Sequence, residues 1–288
     1  MRLFAFGCSY TKYKWPTWAD ILGREYDYFE NWGQSGAGNH YIFNSLIECN
    51  QRHKFSANDT VMIMWSSIAR EDRYVGETWI TPGNIYSQET YSKEFVKKFA
   101  DNRGYLIRDL AFIQAAKLLL DNIGCKFKFF SMVPIVNISE FANTLTVKQD
   151  IDCLELYKDS INMICPSVWE VVFNKKWSSR TRYADKEVYE KTAGVDWPNF
   201  DAYIKNNYSN LSEKIKHEVL KWRLSNAGPW GMGVYDCHPI PILHLEYLEK
   251  NGITLSDSTK QWTNAVNTLL MEYKTLDHLW KPKKIARL

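Results

Sequence analysis

Ser9 stands just after a short apolar run, in the turn Phe6-Gly7-Cys8-Ser9-Tyr10-Thr11. A hydroxyl at the end of a buried strand faces the cleft beyond the sheet, where following backbone N–H groups can hold an oxyanion. A serine hydroxyl is a weak nucleophile at neutral pH and needs a base. Far along the chain, Tyr235-Asp236-Cys237-His238-Pro239 supplies an imidazole with a carboxylate two residues before it. A carboxylate so close can hold the Nδ1–H and fix the tautomer, which is the orienting role in a Ser-His-Asp triad. Ser9, His238 and Asp236 are therefore the expected nucleophile, base and orienter. The rival readings are a helix-capping role for Ser9 and Cys8 as nucleophile, since only one of two adjacent side chains can face the base.

These residues need a scaffold, and the pattern along the chain supplies one. Apolar runs at residues 2–6, 28–32, 61–65 and 126–133 read as strands. Helical spacing appears at residues 18–22, on the face made by Tyr41, Ile42, Ser45, Leu46 and Cys49, and over residues 91–123, with a break near Gly104 and Gly124 as C-cap. Strands alternating with helices imply a parallel sheet with right-handed crossovers and helices on both faces. Ligands in such folds sit beyond the carboxyl ends of the strands, so the turns after Phe6, Trp32, Trp65 and Val133 should converge. Residues 169–173 are a candidate fifth strand, residues 74–90 a surface excursion and residues 256–273 a closing helix. The expectation is one α/β domain over residues 1–288, a three-layer α/β/α arrangement with about five parallel strands, carrying an α-rich insertion over residues 135–232.

The same blocks resemble the SGNH or GDSL-like hydrolases. Their Gly-Asp-Ser after strand one is matched by Gly7-Cys8-Ser9, and their Asn-x-Gly-x-Ser-Gly after strand two by Asn31-Trp32-Gly33-Gln34-Ser35-Gly36. Their final Asp-x-x-His is matched approximately by Asp236-Cys237-His238, where the Asp-to-His spacing is two rather than three, ahead of Pro239. The Gly-Cys-Ser opening looks like a divergent phage or bacterial branch. The resemblance implies a flavodoxin-like fold, Ser9 as nucleophile, His238 as base and Asp236 as orienter, with the Ser9 and Gly36 amides in the oxyanion hole. The family's third block offers an Asn after strand three. Here that place reads Trp65-Ser66-Ser67, so Asn39, Ser66 or Ser67 is the expected third donor.

Other clusters are weighed against this site. Gly33, Gly36 and Gly38 do not form a dinucleotide-binding fingerprint. His244, six residues after His238, reads as a supporting or helix-surface histidine rather than a metal ligand, and no metal is expected. Arg70-Glu71-Asp72-Arg73 reads as a solvated charge cluster, with Arg70 placed to bind an anionic substrate as the alternative. The chain holds 17 Tyr, 14 Phe and 12 Trp, far more than a disordered segment carries. Most should be core, yet Tyr10, Trp15, Trp32, Trp65 and Trp230 fall in or beside loops at the predicted site, where rings could stack on a sugar or line an acyl pocket.

A formal charge of +3 argues against a nucleic-acid surface. The six dispersed cysteines fit buried thiols in a reducing compartment. No apolar run approaches the roughly 18 residues of a membrane span, and no signal peptide is read, so a cytoplasmic or virion-associated protein is expected. The reading is a serine esterase or deacylase acting on a small acyl ester, an O-acetylated glycan being one form, without a cofactor. The alternatives are an acyltransferase, or an inactive SGNH-type binding or virion module. The oligomeric state is left open.

Overall fold

The computed structural model describes residues 1–86, 90–135, 148–172, 238–273 and 285. Four parallel strands form the sheet: β1 (Arg2–Phe6), β2 (Tyr28–Asn31), β3 (Asp59–Trp65) and, later in the chain, β6 (Lys126–Ser131), in spatial order β2-β1-β3-β6. The register pairs Leu3 with both Phe29 and Thr60, and Ile63 with Phe129. Every residue of β3 is buried, as an unbroken apolar run in a doubly covered strand requires. Asp59 at its start is stabilised by a bidentate ion pair with Arg2, at 2.7 Å on each oxygen.

Helices α1 (Trp18–Gly23) and α2 (Asn39–His53) make the first two crossovers. The chain moves one way from β1 to β2 and the other way from β2 to β3, so right-handed crossovers put α1 and α2 on opposite faces. A small antiparallel hairpin, β4 (Arg73–Val75) and β5 (Thr78–Ile80), occupies the expected surface excursion. Helices α3 (Lys93–Phe99) and α4 (Asn102–Ile123) follow, and α4 packs on α2. The break between them lies ahead of Gly104, which is inside α4; the Asp101 side chain accepts from the Arg103 N–H at 2.9 Å and starts the new helix. Gly124 ends it in the left-handed conformation, as expected.

Beyond β6 come α5 (Lys148–Leu156), α6 (Lys158–Asn162) and α7 (Val168–Val172). The fifth-strand reading of residues 169–173 is thus corrected. Ser167 and Glu170 form a reciprocal cap, with the Ser167 N–H and hydroxyl donating to the Glu170 carboxylate at 2.8 and 2.7 Å. Short apolar runs do not distinguish a strand from a buried helix turn. The free edge of β6 instead takes a single parallel bridge from Ile164, with the Cys165 N–H donating to the Phe129 carbonyl at 2.9 Å.

Helices α8 (Pro241–Lys250) and α9 (Asp257–Tyr273) close the chain's described part, with α8 against α1, α7 and α9. The core lies on both sides of the sheet: Trp18 and Tyr247 both meet Phe130 edge-on, while Trp65 meets Phe129. Among the described residues no helix is long and apolar enough to cross a membrane. The strand order reverses beside β1, which makes the carboxyl ends of β1 and β3 the expected place for a ligand.

Candidate active site

Parallel pairing continues past β2 and draws the second glycine-rich block onto the Ser9 turn. The Trp32 N–H donates to the Ala5 carbonyl at 2.7 Å and the Gln34 N–H to the Gly7 carbonyl at 3.0 Å. The turn itself winds back on Cys8, whose carbonyl accepts from the N–H groups of Thr11 and Lys12 at 2.9 and 3.1 Å. Asn31 ties these pieces together. Its Nδ2 donates to the Thr11 carbonyl at 2.7 Å and to Asp20 at 3.2 Å, and its Oδ1 accepts from the Gly33 N–H at 3.0 Å. Asp20 also accepts from the Thr17 N–H and hydroxyl, and burial pushes its carboxyl up to about 6.

His238 Nε2 lies 2.8 Å from Ser9 Oγ, across 229 residues of sequence. Cys8 is turned the other way, fully buried, with its thiol 3.5 Å from Met132 Sδ. The imidazole therefore faces the hydroxyl and not the thiol. A proton can pass from Oγ to Nε2 only when the ring carries its own proton on Nδ1. Asp236, the residue assigned to that Nδ1, lies outside the described residues, as do Cys237 and Trp230.

Aromatic side chains from the Ser9 loop hold the base. Tyr13 stacks on the His238 ring with centroids 3.9 Å apart and planes 15° apart, and Tyr10 lies at 5.3 Å. Trp15 meets Tyr13 edge-on at 4.7 Å, and its indole N–H donates to the Pro239 carbonyl at 2.9 Å. The peptide next to His238 is thereby fixed to the loop that carries Ser9. Tyr13 reads in the sequence only as one of the aromatics that follow Ser9, and its stack on the base has no local signal beyond its place four residues after the serine.

The expected aromatic substrate wall is not found among the described rings. Tyr10, Trp15, Trp32 and Trp65 are each no more than 2% exposed. Tyr10 accepts from the Trp169 indole at 3.3 Å, Trp32 donates to Glu30 at 2.8 Å, and Trp65 packs on Phe129. Hydrophobic burial of large rings claimed them for the core.

Gly36 is in the left-handed region, φ 76°, and its N–H, like that of Ser9, donates to no backbone carbonyl among the described residues. Asn39 is corrected as an oxyanion donor. Fully buried, it spends its amide on the Ser66 carbonyl at 3.1 Å and Asp109 at 2.8 Å, while its Oδ1 accepts from the Ser66 N–H at 2.7 Å. Ser66 is fully buried, with no partner for its hydroxyl, and Ser67 is half-buried. Burial raises the Asp109 carboxyl to about 7 despite its ion pair with Arg108 at 2.8 Å.

The solvated reading of residues 70–73 is also corrected at two of its members: Arg70 is 8% exposed and Asp72 2%. Asp72 caps α2, accepting from the Gly38 N–H at 2.9 and 3.0 Å and from the Tyr41 N–H at 2.9 Å; burial raises its carboxyl to about 6. A run of charges reads as solvated because sequence does not reveal which crossover will cover it.

One group of described residues could approach a metal ion: Glu30, Cys49 and His53, with ligand atoms within 4.8 Å of one another. Glu30 already accepts from Trp32 and lies 3.0 Å from His53 Nε2, and burial holds the Cys49 thiol far above its usual range. Glu30 is thus engaged by Trp32 and His53 without a cation.

His244, expected as a supporting or surface residue, is 1% exposed on α8. Burial, helped by the charge of His238, pushes its ring down to about 3. Below the ordinary value of 6.5 the unfolded chain takes a proton that this ring refuses, so the stability it gives is complete above that pH and is lost as pH falls toward 3. At pH 5 the loss is on the order of 2 kcal/mol. Asp20, Asp72 and Asp109 act in the opposite direction over much of this range, since their raised values favour the folded state at acid pH. Comparison with His244→Leu isolates the histidine. Urea unfolding at pH 7 and pH 5 should show the variant losing on the order of 2 kcal/mol less than the parent, and equal losses would remove the buried neutral imidazole as the cause.

No family model and no curated protein matches this chain.

Proposed function

We propose that the chain is a serine esterase or deacylase of SGNH type that acts on a small acyl ester. The observation that carries this reading is the 2.8 Å contact between Ser9 Oγ and His238 Nε2, formed by the two residues that the opening and closing blocks single out. Ser9 Oγ attacks the ester carbonyl as its proton passes to Nε2, and the amides of Ser9 and Gly36 take the charge on the carbonyl oxygen. The alkoxide leaves with the proton from the imidazolium. Water then attacks the acyl-enzyme with His238 again as base, and Asp236 is assigned to hold the ring's Nδ1–H. An alcohol in place of that water gives acyl transfer by the same steps. Burial of Tyr10, Trp15, Trp32 and Trp65 withdraws the argument for a sugar-bearing ester, so the alcohol half is left unassigned.

A fluorophosphonate probe incubated with the folded protein should label Ser9, located by mass spectrometry of the digest, and leave Ser9→Ala unlabelled. Folded protein with no adduct at Ser9 would mean that the fold serves as a binding or assembly module.

A further inference from the structure

Arg70 is more than nine-tenths buried, yet it has no carboxylate within ion-pair distance among the described residues. Its Nη1 donates to the Ala37 carbonyl at 2.8 Å, its Nη2 lies 3.8 Å from Met132 Sδ, and its Nε is enclosed with no partner. Asp72 feels the Arg70 charge but forms no ion pair with it, its oxygens being taken by the N–H groups at the start of α2, and Asp109 is engaged by Arg108 and Asn39. A carbonyl, a thioether and a carboxylate that feels the charge without forming an ion pair neutralise it only in part, and a buried cation left in this state is costly to the fold.

The position of the guanidinium explains why that cost would be kept. Ala37 follows Gly36, whose amide is assigned to the oxyanion hole. Met132 also receives the Cys8 thiol at 3.5 Å, and Cys8 precedes Ser9. The group is thus clamped between the Gly36 loop and the backing of the Ser9 turn, at the carboxyl ends of the strands. It comes from the segment after β3, the segment in which the resembling hydrolases carry their Asn donor. Two of the three residues expected to fill that role do not: Asn39 is fully engaged and Ser66 is sealed in the core, which leaves the half-buried Ser67 as the one rival donor.

We propose that Arg70 is the catalytic residue that replaces the missing Asn, its guanidinium binding the oxyanion formed when Ser9 attacks the ester. This rests on the esterase reading. In the step, the Oγ–C bond forms, the Oγ proton goes to His238 Nε2, and the carbonyl π pair moves to oxygen. Arg70 meets that negative charge without giving up a proton, and the pair returns to re-form the carbonyl as the alkoxide leaves.

The test compares wild type, Arg70→Lys and Arg70→Met by fluorophosphonate labelling rate at Ser9, by kcat and KM on neutral and acidic p-nitrophenyl esters, and by thermal midpoint. Arg70→Met should lose roughly 100- to 1,000-fold in labelling rate and in kcat, with KM nearly unchanged. Its thermal midpoint should hold or rise, because an unpaired buried charge is gone. Arg70→Lys should fall between, having the charge without the planar fork. A wild-type labelling rate in Arg70→Met overturns the proposal and leaves the esterase reading standing. So does a KM rise confined to the acidic ester, which would make Arg70 a reader of substrate charge, or a rate loss that merely follows a lowered midpoint. No labelling of the wild type overturns both.

Discussion

His238→Ala is expected to lower kcat on an activated acyl ester such as p-nitrophenyl acetate by roughly 10⁴- to 10⁶-fold, with KM changed by less than about threefold. The base acts on Ser9 only as the Oγ–C bond forms, so its loss appears in turnover and not in ground-state binding. Without the imidazole 2.8 Å away, no other side chain among the described residues takes the Ser9 proton as that bond forms. The oxyanion donors remain, which keeps the residual rate above that in water. The fold should survive. His238 is half-buried, and the loss of its stack on Tyr13 costs about 1 kcal/mol, a fall of about 2–4 °C in thermal midpoint for a chain of this size. Steady-state kinetics and calorimetry on one preparation separate the two effects. A folded variant that keeps more than about a tenth of parental turnover removes the pair from the chemistry.

The alternation of strands and helices was legible because short apolar runs end at turn residues, Phe6 before Gly7 and Trp65 before Ser66, while β6 stops at Ser131, two residues short of the end of the 126–133 run. It failed where local pattern is ambiguous. Val168, Trp169 and Val172 are as apolar as any strand here, and only the Ser167 to Glu170 cap marks them as helix. In the site, Ser9 and His238 could be named because turn chemistry and a nearby carboxylate are local signals. Their surroundings could not, since they depend on which distant residues the crossovers bring in. Asn39 looked free to serve an oxyanion until Asp109, 70 residues away, took its amide. Arg70 looked solvated until Ala37 and Met132 closed over it. Trp15 looked like a substrate ring, and its contact with the Pro239 carbonyl, 224 residues on, makes it a prop for the base.

Those distant contacts converge on one mechanical requirement, that the loops carrying the Ser9 and Gly36 amides keep a fixed separation. Gly36→Ala tests it and should be a severely damaging single-methyl change at the site. At φ 76° any side chain is strained, and an added Cβ would lie 2.0 Å from the Thr81 carbonyl oxygen, with Thr81 C at 3.1 Å and Gly83 N at 3.3 Å. These are backbone atoms and cannot rotate away. The 81–83 segment is held in turn by the Thr81 hydroxyl, which donates to the Ser35 carbonyl at 2.9 Å and accepts from Gln34 Nε2 at 3.2 Å. Relief of the overlap breaks these bonds or swings the Gly36 peptide, so the cost should reach about 3 kcal/mol, against about 1 for the left-handed conformation alone. Gly124 provides the comparison: its φ of 77° is nearly the same, but nothing lies within 4 Å of an added Cβ. Gly124→Ala should therefore lower the thermal midpoint by about 2–4 °C and leave turnover unchanged, while Gly36→Ala should lower it by about 6–12 °C. The displaced amide should also cost Gly36→Ala roughly 100-fold or more in kcat. Equal midpoints for the two variants would show that the loop yields freely to the methyl group, and unchanged turnover in a folded Gly36→Ala would remove the Gly36 amide from the oxyanion hole.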